Sequence, residues 1–147
     1  MDWSPRLTVA TIIERDSRFL LVEEYADGEE LVYNQPAGHL DERETLAAAA
    51  IRETLEETAW EIQLDAVVGV YYWTHPKGHT FIRTCFCGTA LRHYPDRALD
   101  RGIQRALWLT RAEIVAPGTR LRSPMVLRCL DDYLAGARFP LDVFNYL

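Results

Sequence analysis

No stretch of this 147-residue chain holds the roughly 18 to 20 consecutive apolar residues that a membrane span requires. A membrane partner is therefore not expected. The start, Met1-Asp2-Trp3-Ser4-Pro5-Arg6, lacks the basic and then apolar segment of a secretory leader, so the expected location is cytoplasmic. Cysteine is scarce and odd in number, at Cys85, Cys87 and Cys129, which excludes a disulfide framework. Cys85 and Cys87 sit two apart in an alternating apolar run, the spacing of one strand face, and read as reduced, buried thiols. Zinc is not expected either, because His39, His75, His79 and His93 lack ligand spacing. Positive charge is the other deficit: 16 Lys and Arg stand against 22 Asp and Glu, so no basic face advertises polymeric nucleic acid as a partner. Phosphate loops of the GxxxxGK[ST] type, GxGxxG turns and HExxH pairs are all missing.

What is present is a chain of 48% apolar and 26% charged residues without internal repeats, as expected of one domain spanning 1–147. Leu7–Glu14 and Arg18–Glu24 are β-branched and apolar runs around Arg15-Asp16-Ser17, which predicts a hairpin. Leu31-Val32-Tyr33 predicts a short strand, followed by a loop Gln35-Pro36-Ala37-Gly38. The segment from Glu44 to Thr58 is rich in Ala, Leu and Glu and free of Gly and Pro, which predicts a long helix. Two long strands, Trp60–His75 and His79–His93, are broken by the turn triplet Pro76-Lys77-Gly78, and Arg105–Leu109 is a further strand. Thr110 with Glu113 has the form of a capping box opening a brief helix, and Ser123-Pro124 has the form of an N-cap and first helical residue. The expected fold class is α+β, an α/β/α sandwich with a mixed β-sheet flanked by helices.

Chemistry concentrates on the long helix. Between Asp41 and Glu57 six acids face two bases, a local charge of -4 out of a total of -6. At 100° per residue, Glu53, Glu56 and Glu57 fall within about 100° of one another. They continue a stripe that is apolar two turns earlier, at Leu46, Ala49 and Ala50, while Ala48, Ile51 and Leu55 form a second apolar stripe. Pattern alone leaves open which stripe meets the sheet. Like charges at these spacings repel by a few tenths of a kcal/mol per pair, and acids near a helix C-terminus oppose the macrodipole. A divalent cation with hard oxygen ligands, Mg²⁺ or Mn²⁺ in its place, would relieve that repulsion. An ordinary solvated acidic face is the alternative.

The wider spacing favours the metal. Gly38, five residues, Glu44, seven residues, Arg52-Glu53, two residues, Glu56-Glu57 resembles the loop-helix signature of the Nudix hydrolases. Two positions depart from it: Ala59 stands where the family has Gly, and Thr54 where it has an aliphatic residue. If position 59 is left-handed, Ala there costs roughly 1 kcal/mol. Beyond this box, Asn34-Gln35-Pro36-Ala37-Gly38-His39-Leu40, Leu121-Arg122-Ser123-Pro124 and Phe139-Pro140-Leu141 are similar to the NudJ-type branch of that family.

The resemblance implies the Nudix fold and hydrolysis of phosphoanhydrides in nucleoside tri- and diphosphates and in hydroxymethylpyrimidine pyrophosphate, releasing orthophosphate. It implies a Mg²⁺ site at Glu53, Glu56, Glu57 and the Gly38 carbonyl, with Glu44 either a further ligand or a partner of the helix N-terminus. Arg52 is expected to fix a glutamate through its fork. The proton of the attacking water would go to Glu53 or Glu56, with Glu113 as the second choice. For the substrate, Trp73 is a candidate stacking platform ahead of Tyr33, Tyr72 and Trp108, which are expected in the core. Arg122 is a candidate phosphate contact and Arg120 an equally good surface residue. Asn34 and Gln35 either read a ring edge or hold the metal loop. Two rival functions remain: an ADP-ribose or nucleotide-sugar pyrophosphatase, and a Nudix-fold module that binds a phosphorylated ligand without cleaving it. The expected partner is a small nucleotide or pyrophosphate, with the protein a monomer or homodimer.

Overall fold

The apolar run at the N-terminus forms β1 (Arg6–Arg15), whose centre from Thr8 to Ile13 is buried on both faces. Such a strand must be covered by helices on each side, and the computed structural model, which describes residues 2–147, shows that arrangement. β1 turns through Asp16 and Ser17, both at positive φ, into β2 (Arg18–Ala26). β3 (Glu30–Asn34) pairs antiparallel with β2. β5 (Trp60–Thr74) and β6 (Thr80–His93) form the long second hairpin, and β7 (Ile103–Leu109) returns to pair with β2.

β1 and β6 run parallel, which makes the sheet mixed, and its main path is β3-β2-β1-β6-β5. The chain therefore has an α+β fold with helices flanking the sheet. β1 meets β2 only at the hairpin end, Glu14–Phe19 and Arg15–Arg18, so the sheet splays into β3-β2-β7 on one side and the β1, β6 and β5 strands on the other.

The segment read as a loop contains a strand. β4 (Ala37–His39) pairs antiparallel with β1 through Thr8–His39, Val9–Gly38 and Ala10–Ala37. Three residues holding a glycine beside a proline carry no strand propensity of their own; the free edge of β1 supplies the partner.

α1 (Leu46–Thr58) begins two residues later than its composition suggests, because Thr45 is the N-cap and its hydroxyl accepts from Ala48 N at 3.1 Å. The stripe that packs is the one that carries the acids. Ala49 and Ala50 are buried against Val9, Val67 and Phe86, whereas Ile51 on the other stripe is exposed. Small alanines bring α1 close to the strands. Burying Val9, Val67 and Phe86 contributes about 1.5–3 kcal/mol each. α2 (Arg111–Ile114) has its capping box, and α3 (Pro124–Leu134) its Ser123 cap with Pro124 in the first turn. α3 covers the opposite face of the sheet through Cys129 and Leu130, against Ala10 and Cys85.

Two irregular segments are pinned to strand edges. Arg122 N donates to Tyr33 O and Tyr33 N to Arg120 O, both at 2.8 Å, which ties the entry to α3 to β3. Near the C-terminus Val67 and Phe139 exchange backbone bonds of 2.8 and 2.7 Å, just before a 3-10 turn at Leu141–Val143.

Candidate functional site

β4 is the sheet edge around which the site is built. On one side lies the acidic face of α1. Gly38 has no side chain because there is no room for one: a Cβ there would fall 2.1 Å from Glu53 Cδ. Glu57 turns towards the same strand and accepts from Ala37 N at 2.8 Å. The glutamates thus face the backbone of β4, and burial governs their charge. Desolvation pushes the Glu57 carboxyl up to about 9, against the lowering effect of the Ala37 hydrogen bond. Burial also raises Glu53, opposed by its contact with Arg52.

Arg52 is the hub of this face. Its Nε and Nη2 donate to the two oxygens of Glu44 at 2.7 and 2.9 Å, so the fork contact falls on Glu44. Nη1 donates to Glu53 at 2.9 Å and Glu56 at 3.2 Å, and Nη2 also reaches the His39 carbonyl at 3.1 Å. Glu44 accepts in addition from Asp41 N, and the Arg52 bonds hold its carboxyl below the usual range. Both oxygens of Glu44 are therefore occupied, and its geometry is that of a residue bracing Arg52 and the turn before α1.

The carboxylate oxygens of Glu53, Glu56 and Asp100 lie within 4.8 Å of one another. Asp100 is outside the α1 spacing and was not anticipated. It arrives in the connection between β6 and β7, where Asp100 N donates to Glu56 O at 3.0 Å. No periodicity or spacing marks it; an Asp two residues before Gly102 reads as an ordinary turn. The donor set is all oxygen and all anionic, with one guanidinium partly neutralising it. That is the chemistry of a Mg²⁺ or Mn²⁺ site, so these residues fit such an ion.

On the other side of β4 opens a cavity of about 410 Å³, bounded by Gly38 and His39, by the β5–β6 hairpin and by the start of α3. Trp73 and Arg122 line it. Trp73 stacks on Phe81 at 5.9 Å, while Trp108 packs edge-on against Trp60 at 5.7 Å, away from the cavity, and Tyr72 is exposed. Arg122 donates to Glu24 at 2.9 Å; Arg120 pairs with Glu30 on the surface. Glu113 spends its carboxylate on the Thr110 capping box.

Asn34 and Gln35 are buried, and their amide groups are fully oriented. Asn34 donates to Glu24 and accepts from Arg83; Gln35 donates to Val126 O and accepts from Arg83, at 3.3, 3.0, 2.8 and 3.0 Å respectively. In this geometry they hold Arg83 in place. Arg83 also went unanticipated, although a signal existed: it shares a strand face with Phe81 and Cys85, an arginine pointing inward in an apolar run.

Comparison with known proteins agrees with this architecture. The sequence matches the NUDIX domain family over residues 4–129, and the chain belongs to that family as a Nudix hydrolase. Among curated proteins it is 36% identical over 143 residues to phosphatase NudJ of Escherichia coli K12, covering 97% of this chain and 92% of that one. Among solved structures, a NUDIX hydrolase from Nitrosomonas europaea superimposes with a TM-score of 0.95 at 43% identity, covering 98% of each chain. A bifunctional NMN adenylyltransferase/ADP ribose pyrophosphatase from Francisella tularensis shares the fold at 21% identity and a TM-score of 0.67, covering 91% of this chain and 42% of its own.

Proposed function

We propose that the protein hydrolyses a phosphoanhydride bond of nucleoside tri- and diphosphates, and of related pyrophosphates such as hydroxymethylpyrimidine pyrophosphate, releasing orthophosphate with Mg²⁺ as cofactor and Mn²⁺ as a substitute. The observation that carries this reading is the pairing of a carboxylate cluster beneath Gly38 with a cation-bearing cavity across the same three-residue strand. Glu53, Glu56, Glu57 and the Gly38 carbonyl would hold the cation, with Asp100 joining them and Glu44 supporting through Arg52. When bound, the ion neutralises phosphate charge and acidifies a water.

The remaining steps belong to the chain's own groups. Glu53 takes the proton of the attacking water at a carboxylate oxygen, since burial makes it a better acceptor than an exposed glutamate. Glu56 is the alternative acceptor. Arg52 keeps Glu53 and Glu56 aimed together at 2.9 and 3.2 Å. Trp73 offers its face to a ring, and Arg122 and Asn34 shape the polar side of the cavity, with Gln35 behind them holding Arg83.

The 36% likeness to a phosphatase over nearly the whole chain favours orthophosphate release. The ADP ribose pyrophosphatase relative shares only the fold. A module that binds without cleaving has no use for the assembled carboxylates. We read residues 1–147 as one domain acting as a monomer or homodimer on small molecules. Three buried free thiols support a reducing, cytoplasmic setting, and no helix among the described residues is long and apolar enough to cross a membrane.

The test is Mg²⁺-dependent orthophosphate release from nucleoside di- and triphosphates and from hydroxymethylpyrimidine pyrophosphate, with and without added inorganic pyrophosphatase. Release without the helper enzyme is expected. Signal that requires the helper would mean pyrophosphate leaves intact, and no signal from any of these substrates would refute the reading.

A further inference from the structure

Three of the cations that line the cavity can be followed to a partner or to none. Lys77 lies 3.8 Å from Asp27 and Arg122 lies 2.9 Å from Glu24. Arg83 has no carboxylate within 4 Å among the described residues, although it is only 4% exposed. Its Nη1 and Nη2 donate to the neutral oxygens of Gln35 and Asn34, both at 3.0 Å, its Nε has no oxygen or nitrogen acceptor, and its other polar neighbours are the thiols of Cys85 and Cys129. A buried guanidinium left with dipoles alone is an uncommon and unfavourable arrangement, because removing one charge from water is costly unless an opposite charge or a full set of acceptors replaces the lost hydration.

The surroundings show that this arrangement is built. Asn34 Nδ2 is committed to Glu24 and Gln35 Nε2 to Val126 O, so both amides are obliged to turn their oxygens to Arg83. They fix the guanidinium without neutralising it. Register places Arg83 opposite Thr8 on β1, which in turn lies opposite His39 on β4, all on one face of the sheet. Arg83 is thus two strands in from the metal edge, roughly 10 Å along the sheet. Phe81 and Trp73, paired with each other, continue that face towards the hairpin.

We propose that Arg83 is an anion-binding residue of the cavity, a fixed cation that receives a phosphoryl oxygen of the nucleotide on the far side of β4 from the α1 carboxylates. It rests on the reading that the cavity takes a phosphorylated substrate, and it adds which residue supplies the missing charge. Two sources share the chemistry: the phosphate that stays on the nucleoside, and the orthophosphate released. We assign the first, since Trp73 and Phe81 lie beside Arg83 and offer a face to the attached ring.

The test uses the whole protein in EDTA, so that neither metal nor turnover enters. Nucleoside monophosphate and orthophosphate are titrated separately and followed by amide chemical-shift changes or calorimetry. The wild type is expected to bind the monophosphate, with orthophosphate weaker. Arg83→Met should weaken the monophosphate at least tenfold. Gln35→Glu gives Arg83 a carboxylate at the position of an existing contact at the cost of the hydrogen bond to Val126 O, so it should weaken binding comparably, with the far-UV spectrum and melting temperature checking that the protein stays folded. A purely structural Arg83 would tolerate that neutralisation with unchanged affinity, and this result would overturn the proposal. So would failure of the wild type to bind either anion; tighter binding of orthophosphate would move the assignment to the released product. If wild-type binding is as expected but no Mg²⁺-dependent hydrolysis occurs, the hydrolase reading fails and the anion site stands.

Discussion

The two sides of β4 handle charge in opposite ways. Towards α1, Glu44, Glu53 and Glu56 share one arginine, Glu57 has none, and burial raises the carboxyls of Glu53 and Glu57. Towards the cavity the acids are satisfied, Glu24 by Arg122 and Asn34, and a guanidinium is left over. One side is short of positive charge and the other of negative charge, with a three-residue strand between them. A polyphosphate bridging that strand, with a divalent ion at one end, would correct both imbalances.

Removing one carboxylate from the acidic side breaks the contrast most directly. Glu56→Gln should lower Mg²⁺-dependent turnover by orders of magnitude, while the far-UV spectrum and melting temperature change little, because Glu56 is part-exposed and its loss relieves repulsion with Glu53. Wild-type rates of phosphate release in this variant would sink the assignment of the α1 carboxylates. Gly38→Ala comes next. Its Cβ would meet Glu53 Cδ at 2.1 Å, so the carboxylate must move. A displacement near 1 Å at a reacting group costs about 100-fold in rate, and steady-state kinetics should show the loss chiefly in kcat.

Protons sharpen the same comparison. The folded-state pKa of Glu57, about 9, lies above its ordinary value of 4.5. Its neutral form therefore favours the folded state: this contribution is complete below about pH 4.5 and is lost as pH rises through 9. In EDTA the protein should become less stable across that window, by at most about 1.4 kcal/mol per pH unit for one proton. Burial shifts Glu53 in the same direction, opposed by Arg52. Saturating Mg²⁺ should flatten it, because a bound cation favours the ionised carboxylates. Thermal melts between pH 6 and 9, with and without Mg²⁺, measure both slopes; identical slopes would mean that no ion binds near Glu57.

How much of this was legible depends on how local each feature is. α1 follows from its own Ala and Glu content, and α2 and α3 from Thr110-Glu113 and Ser123-Pro124, signals contained within a few residues. The hairpins follow from Asp16-Ser17 and Pro76-Lys77-Gly78. β4 was not legible, since its pairing is a property of β1's free edge. Nor was the parallel match of β1 with β6, which joins residues 75 apart. Asp100 and Arg83 belong to that non-local class, brought to the site by a loop return and by sheet order. The stripe on α1 that meets the sheet also became evident only in three dimensions, when Ala49 and Ala50 packed and Ile51 did not.

The smallest expected effect concerns the end of the acidic helix. Ala59 caps α1 at φ +62°, ψ +21°, the left-handed conformation in which the family pattern has Gly, and its N–H returns to Leu55 O at 2.9 Å. Replacing Ala by Gly there should relieve roughly 1–2 kcal/mol of backbone strain. Ala59 is only 2% exposed, however, so the change also removes a buried methyl, about 0.8 kcal/mol. It frees the unfolded chain as well, a further 0.4–1 kcal/mol or so in the opposite direction. These terms nearly cancel. Ala59→Gly should shift the melting temperature by no more than about 4 °C in either direction and leave turnover unchanged. That near-balance is why an alanine is tolerated at this cap. A large gain in stability would show that the buried methyl contributes almost nothing, and a large change in turnover would show that the cap helps aim Glu56 and Glu57 at β4.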